Sequence, residues 1–274
     1  MPENDLINGP MDDSPQGSAI SPPTLAPTWH TAVLIAGILV LSIVGALRPL
    51  ALHSSANRLM TYGTTAVMEL VMLGWVAFGL RLRKIPLRLL FGAVPGDFRS
   101  IARDLGIAFV FWIGSLMILA ALGVFWSAVE AEVTHQQPAI RAGRPFAPSP
   151  SEKRTARELA QLAPSNGEEI AGWVLLCLLV GVVEELVFRG YLQGQFTAWA
   201  HGGAATGVVF SALLFGAAHG YQGVRNMVLL AVFGALFSLL ALFRRSLRSC
   251  IFAHSWHDLV AGLALGLLRS HHLL

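Results

Sequence analysis

The sequence predicts an all-α, polytopic transmembrane helix bundle of about seven spans, and three observations carry that expectation. Hydrophobic residues make up 54% of the 274 and charged residues 13%, with a mean hydropathy of +0.61, which is far from the balance of a water-soluble domain. The apolar residues come in blocks approaching the roughly 20 helical residues that cross a hydrocarbon core. Between the blocks lie short connections rich in Arg, Pro and Gly.

Taken in order, residues 1–28 are rich in Pro, Ser, Asp and Asn without apolar periodicity, which predicts a disordered tail. The first apolar run begins only near His30 without a basic segment before it, so it reads as a span and not as a cleavable leader. Apolar blocks follow at about 30–47, 60–80, 104–126, 168–187, 203–218, 224–243 and 250–268, the fifth being short. The organisation expected is a tail (1–28), N-terminal transmembrane helices (29–126), an extramembrane loop (127–164) with a helical stretch near Ser151–Leu162, and a C-terminal core (165–270). Leu87 to Val94 is apolar and suits the interface plane. Arg81, Arg83, Lys84, Arg88, Arg99 and Arg103 crowd one connection and Arg244, Arg245 and Arg248 another. The positive-inside tendency places both in the cytoplasm, together with the N-terminus.

The net charge of +3 and pI of 9.2 suit anionic headgroups, so membrane lipid is an expected partner. No basic face interleaved with aromatics points to nucleic acid. Cys177 and Cys250 show no paired spacing and read as packing residues.

Ionisable residues inside a span cost at least a few kcal/mol each at the bilayer centre and therefore need a partner or a task. The fourth block ends with Glu184 and Glu185 followed by Arg189. Glu185 and Arg189 are four apart and share a helical face, as a structural ion pair or as part of a reaction centre. Glu184 points about 100° away, free to face a cavity and exchange a proton. Phe215 and His219 are again four apart, flanking Gly216, Ala217 and Ala218, which permit close helix approach. His219 alone fits an interfacial residue as well as a ligand or base. His254 stacks over Asp258 with His257 beside them, either to orient packing or to do chemistry. Three separate spans contributing such groups argue for a shared site.

These residues in this order, Glu184-Glu185-x-x-x-Arg189, Phe215-x-x-x-His219 and His254-x-x-x-Asp258, resemble the three motifs of the CAAX prenyl protease and bacteriocin-processing family, over roughly residues 165 to 268. The resemblance implies an intramembrane endopeptidase with a catalytic core of C-terminal helices. It implies that Glu184 with His219 activates water and that His254 with Asp258 stabilises or positions the oxyanion. Glu185 belongs to the same set and braces the site with Arg189; Phe215 and His257 support it. Some relatives carry Asn where Asp258 stands, and an ionised Asp cannot donate a hydrogen bond. Zn is the cofactor to consider, with Glu184, His219 and His254 as candidate ligands, although the His-Glu-x-x-His helix of soluble zinc proteases is absent. The resemblance leans towards the metal-free version. The expected substrate is a peptide or membrane-protein segment, and the Ala-, Gly- and Arg-rich style fits a bacterial inner (plasma) membrane. A non-catalytic scaffold or immunity-type relative is the main alternative. An ion-coupled transporter is a weaker one, because no internal repeat is evident.

Overall fold

The computed structural model describes residues 23–47, 58–93, 96–136, 141–143 and 150–271, and among them it is helical with no strand. The helices are α1 (Thr28–Leu47), α2 (Arg58–Leu82), α3 (Phe98–Val133), α4 (Pro150–Leu162), α5 (Gly167–Glu184), α6 (Gln193–Trp199), α7 (Ala204–Ala218), α8 (Val224–Arg244) and α9 (Arg248–Ser270). Between α5 and α6 the chain does not break but widens into a π-helical segment, Glu185–Leu192. Among the described residues, six helical runs are long and apolar enough to span a membrane: α1, α2, α3, the run Gly167–Trp199, α8 and α9. α7, with 15 residues, reaches about 22 Å at 1.5 Å per residue, short of the ~30 Å core. It nevertheless carries the chain between the two ends of the bundle, which makes it the doubtful fifth block of the sequence reading.

The outer surface is apolar where lipid would touch it, as at Val40, Val71, Val110 and Val124, all more than half exposed. Polar residues turn inward, the arrangement lipid imposes. α5 lies between α2 and α9, α9 packs on α3, and α7 runs along α8 in close contact. Small residues set these approaches. A Cβ on Gly181 would meet the Ser255 backbone nitrogen at 3.0 Å, and one on Gly216 would meet the Ala231 Cβ at 2.7 Å.

The two basic connections meet. Gly92 bridges to Ser246, Leu247 N–H donates to the Phe91 carbonyl, and Ala93 N–H donates to that of Arg245. Gly92 has φ +71°, and a Cβ there would run into the Arg245 carbonyl. The stretch expected in the interface plane forms a short 3-10 helix, Leu87–Phe91, whose Leu90 is buried against Gly190 instead; Val94 lies outside the described residues. Asp104 at the start of α3 ties this end together through Arg244 (2.7 Å) and Arg248 (3.2 Å).

The expected tail falls outside the described residues over 1–22. Its last part is docked: the Gln195 side chain accepts from Leu25 N–H (2.8 Å) and donates to the Ala26 carbonyl (2.9 Å). Within the expected 127–164 loop, α3 runs on to Val133 and α4 forms where a helical stretch was expected. α4 caps the end of the bundle opposite the basic connections. Arg58 donates to the Gln161 carbonyl, Arg269 to that of Ala160, and Thr155 to that of Gln222.

Candidate functional site

The π-helical segment is the most buried stretch among the described residues, with every residue from Glu185 to Leu192 except Gly190 removed from the surface. π turns inside α-helices are rare and concentrate at functional sites. Here the turn lies where the chain places its intramembrane charges. Glu185 is fully buried, and its Oε1 accepts from Arg189 Nη1 at 2.9 Å. The same oxygen faces His254 Nδ1 at 2.8 Å. Since a carboxylate oxygen accepts, Nδ1 carries the hydrogen. The guanidinium of Arg189 lies 4.3 Å from the centre of the Phe215 ring and 5.2 Å from that of Phe237, so aromatic faces complete its enclosure.

His254 is the hub. It sits six positions into α9, about 9 Å along the axis from Arg248, with only 4% of its surface exposed. Its other nitrogen, Nε2, stands 3.6 Å from Glu184 Oε2 and 3.6 Å from Asp258 Oδ2. These two carboxylates are the more open groups, with 13% and 28% of their side chains exposed. The stacking of His254 over Asp258 and the pairing of Glu185 with Arg189 therefore occur as the four-residue spacings predict. The pairing does so within a π turn and not the α-helix that the spacing assumed.

His219 comes from the C-terminal end of α7. Its Nδ1 lies 2.9 Å from the Phe215 carbonyl of its own helix. That carbonyl can only accept, so Nδ1 holds the hydrogen and Nε2 keeps its lone pair in the neutral ring. The Phe215 ring is 4.9 Å from His219 and 6.2 Å from His254, centroid to centroid. Asp258 is within electrostatic reach of His254, His257, Glu184 and His219 together. His257 packs on the Phe233 ring at 4.9 Å. All eight residues singled out from the sequence thus lie in one region, delivered by α5 with its π turn, α7 and α9.

The candidate zinc ligands are Glu184, His219 and His254. Among the described residues no three His, Cys, Asp or Glu side chains gather in a metal-holding arrangement. His254 already presents Nδ1 to Glu185 and Nε2 to two carboxylates.

Two polar residues of the N-terminal helices escaped the sequence reading. Glu69 of α2 is 8% exposed, its Oε2 has no hydrogen-bond partner among the described residues, and it is within electrostatic reach of Glu184, His254 and Asp258. His30 of α1 is fully buried. Its Nδ1 lies 3.0 Å from the Tyr191 hydroxyl and its Nε2 2.8 Å from the Trp75 carbonyl, which ties α1 and α2 to the π turn. The signal for both was available, a titratable residue inside an apolar block.

Against known proteins, the family model described as Type II CAAX prenyl endopeptidase Rce1-like matches residues 166–260, the stretch that holds the π turn, His219, His254 and Asp258. No curated protein and no solved structure matches the chain.

Proposed function

Residues 166–260 carry the pattern of the type II CAAX prenyl endopeptidase Rce1-like family, and on that premise we propose that this multi-pass membrane protein is an intramembrane endopeptidase that hydrolyses a peptide bond with water activated by glutamate. The observation that carries the reading is the position of His254, whose Nδ1 is braced by Glu185 while its Nε2 faces both Glu184 and Asp258. A hydrolase needs a base for water, a donor for the tetrahedral oxyanion and a dry site that holds both.

Glu184 is the base in this reading, being partly accessible and, among the described residues, facing His254 at 3.6 Å without a hydrogen bond. Glu184 takes the proton of the attacking water and hands it to His219 Nε2, which delivers it to the leaving amine as the C–N bond breaks, so both groups return to their starting state. His254, in its charged form, offers Nε2–H to the oxyanion, and Asp258 aligns it. Glu185, fully buried behind His254, does not reach a substrate and acts as a positioning residue with Arg189 and Phe215. An ionised Asp258 accepts only, so the oxyanion donor is assigned to His254 and not to position 258.

The substrate would be a peptide or the membrane-embedded end of a protein that reaches the site from the lipid. The location proposed is a bacterial inner (plasma) membrane, with the basic end, where Gly92 meets Ser246, in the cytoplasm. No step is routed through a metal.

The test is comparative membrane peptidomics of cells carrying the wild type or Glu184→Gln. Peptides that accumulate only with the wild type name the substrates. A variant that keeps the full cleavage pattern refutes the assignment of Glu184, and a wild type without any Glu184-dependent product favours the non-catalytic scaffold. Metal analysis of active purified protein checks the metal-free version: stoichiometric zinc lost together with activity on chelation overturns it.

A further inference from the structure

Three of the four carboxylates at the site face a cationic or ionisable nitrogen. Glu185 holds Arg189 and His254, while Glu184 and Asp258 share His254 Nε2. The fourth, Glu69, makes no ion pair among the described residues, and its Oε2 is buried without a hydrogen-bond partner. It lies on α2, which packs along α5 and against the π turn, and it falls outside residues 166–260, the only part matched by the family.

Burying a carboxylate with an empty acceptor is costly unless a donor arrives. The groups within its electrostatic reach are Glu184, His254 and Asp258, and His254 already serves three carboxylates. What the site lacks on the α2 side is therefore a donor, and a positively charged one would also offset the carboxylates gathered there. A peptide N–H from a bound substrate would meet the hydrogen-bonding need but leave the charge. A lysine ammonium or arginine guanidinium meets both.

We propose that Glu69 is a specificity-determining residue of this site, accepting a hydrogen bond from a cationic side chain of the substrate peptide close to the bond that is cleaved. The proposal rests on the endopeptidase reading for its substrate, but the binding site it describes does not depend on turnover. Glu184 and Asp258 lend the same pocket a negative field that disfavours acidic residues at that position.

The experiment uses the purified full-length chain in detergent with internally quenched peptides that differ at one position at a time, Lys against its uncharged isostere norleucine. At one position the wild type is expected to prefer Lys by about tenfold or more in kcat/KM, chiefly through KM, as a charge-assisted hydrogen bond implies. In Glu69→Gln the ratio falls close to one, and in Glu69→Asp, which keeps the charge, part of the preference remains. A wild type that cleaves the peptides without a Lys preference at any position overturns the proposal, as does a preference that survives intact in Glu69→Gln. Calorimetric binding of the same peptides to His219→Ala, with and without Glu69→Gln, separates the two readings. Tighter binding of the Lys peptide that depends on Glu69, with no cleavage by the wild type, leaves the cationic subsite standing and sinks the endopeptidase. Glu184-dependent cleavage with equal affinity for both peptides does the reverse.

Discussion

Replacing Glu185 by Gln is the sharpest single perturbation of the site, because one oxygen of Glu185 meets both Arg189 at 2.9 Å and His254 at 2.8 Å. Gln keeps the size and an acceptor but removes the charge. Arg189 then stays buried, with 1% of its side chain exposed and with Nε and Nη2 already lacking hydrogen-bond partners among the described residues. Removing one partner of a buried ion pair costs about 3–5 kcal/mol, since the other charge is left uncompensated. At about 2–4 °C per kcal/mol for a chain of this size, the melting temperature in detergent should fall by roughly 6–20 °C. Arg189→Met should cost a similar amount, and the double variant much less than the sum, because no stranded charge remains. Cleavage should fall by about 10²–10⁴-fold in Glu185→Gln, the scale of a misplaced acid–base group. A melting temperature within about 2 °C of the wild type, or strict additivity of the two single changes, would refute the claim that this pair is a buried brace.

Two further outcomes follow from the packing. Gly181→Val places a branched side chain where α5 touches Ser255, 3.0 Å from its backbone nitrogen even for a Cβ alone; overpacking of this kind costs about 1–3 kcal/mol, and by prising α5 from α9 it should lengthen the Glu185–His254 contact and lower cleavage more than melting temperature, a disproportion that paired activity and thermal-shift measurements would show. Arg58→Met removes the side chain that bonds the Gln161 carbonyl and both oxygens of Glu169, so α4 should open more readily and be cut faster by an added protease, with an unchanged cleavage rate in 150–162 counting against its role as an anchor.

The span positions were legible because lipid rewards long apolar runs and tolerates little else, so composition alone reports most of the fold. The site was legible where its partners lie on one helix: four-residue spacing brings Glu185 to Arg189 and His254 to Asp258. What the spacing did not reveal is the hydrogen-bond register, since an i→i+5 turn at Glu185–Leu192 has no residue signature of its own. Nor did it reveal partners separated by long stretches of chain. The docking of Leu25 and Ala26 depends on Gln195, and the value of Glu69 depends on helices some hundred residues away. A single Glu in a 25-residue helix barely moves its hydropathy, so an average hides it, although the rule that every intramembrane charge needs a task identifies it directly.

The two histidines on which the chemistry turns are held in different ways, and the difference assigns their work. His254 is hydrogen-bonded to Glu185 through Nδ1 and faces Glu184 and Asp258 with Nε2 at 3.6 Å, which fixes its ring between α5 and α9 and suits a donor that waits for charge to develop. His219 is hydrogen-bonded at Nδ1 to a carbonyl of its own helix, which sets its tautomer while Nε2 has no hydrogen-bond partner among the described residues. A proton that must be taken up and handed on needs the second kind of residue, because a charged imidazolium carries hydrogen on both nitrogens and has no lone pair to receive another. In the proposed mechanism the stationary charge thus belongs to α9 and the mobile proton to the end of α7.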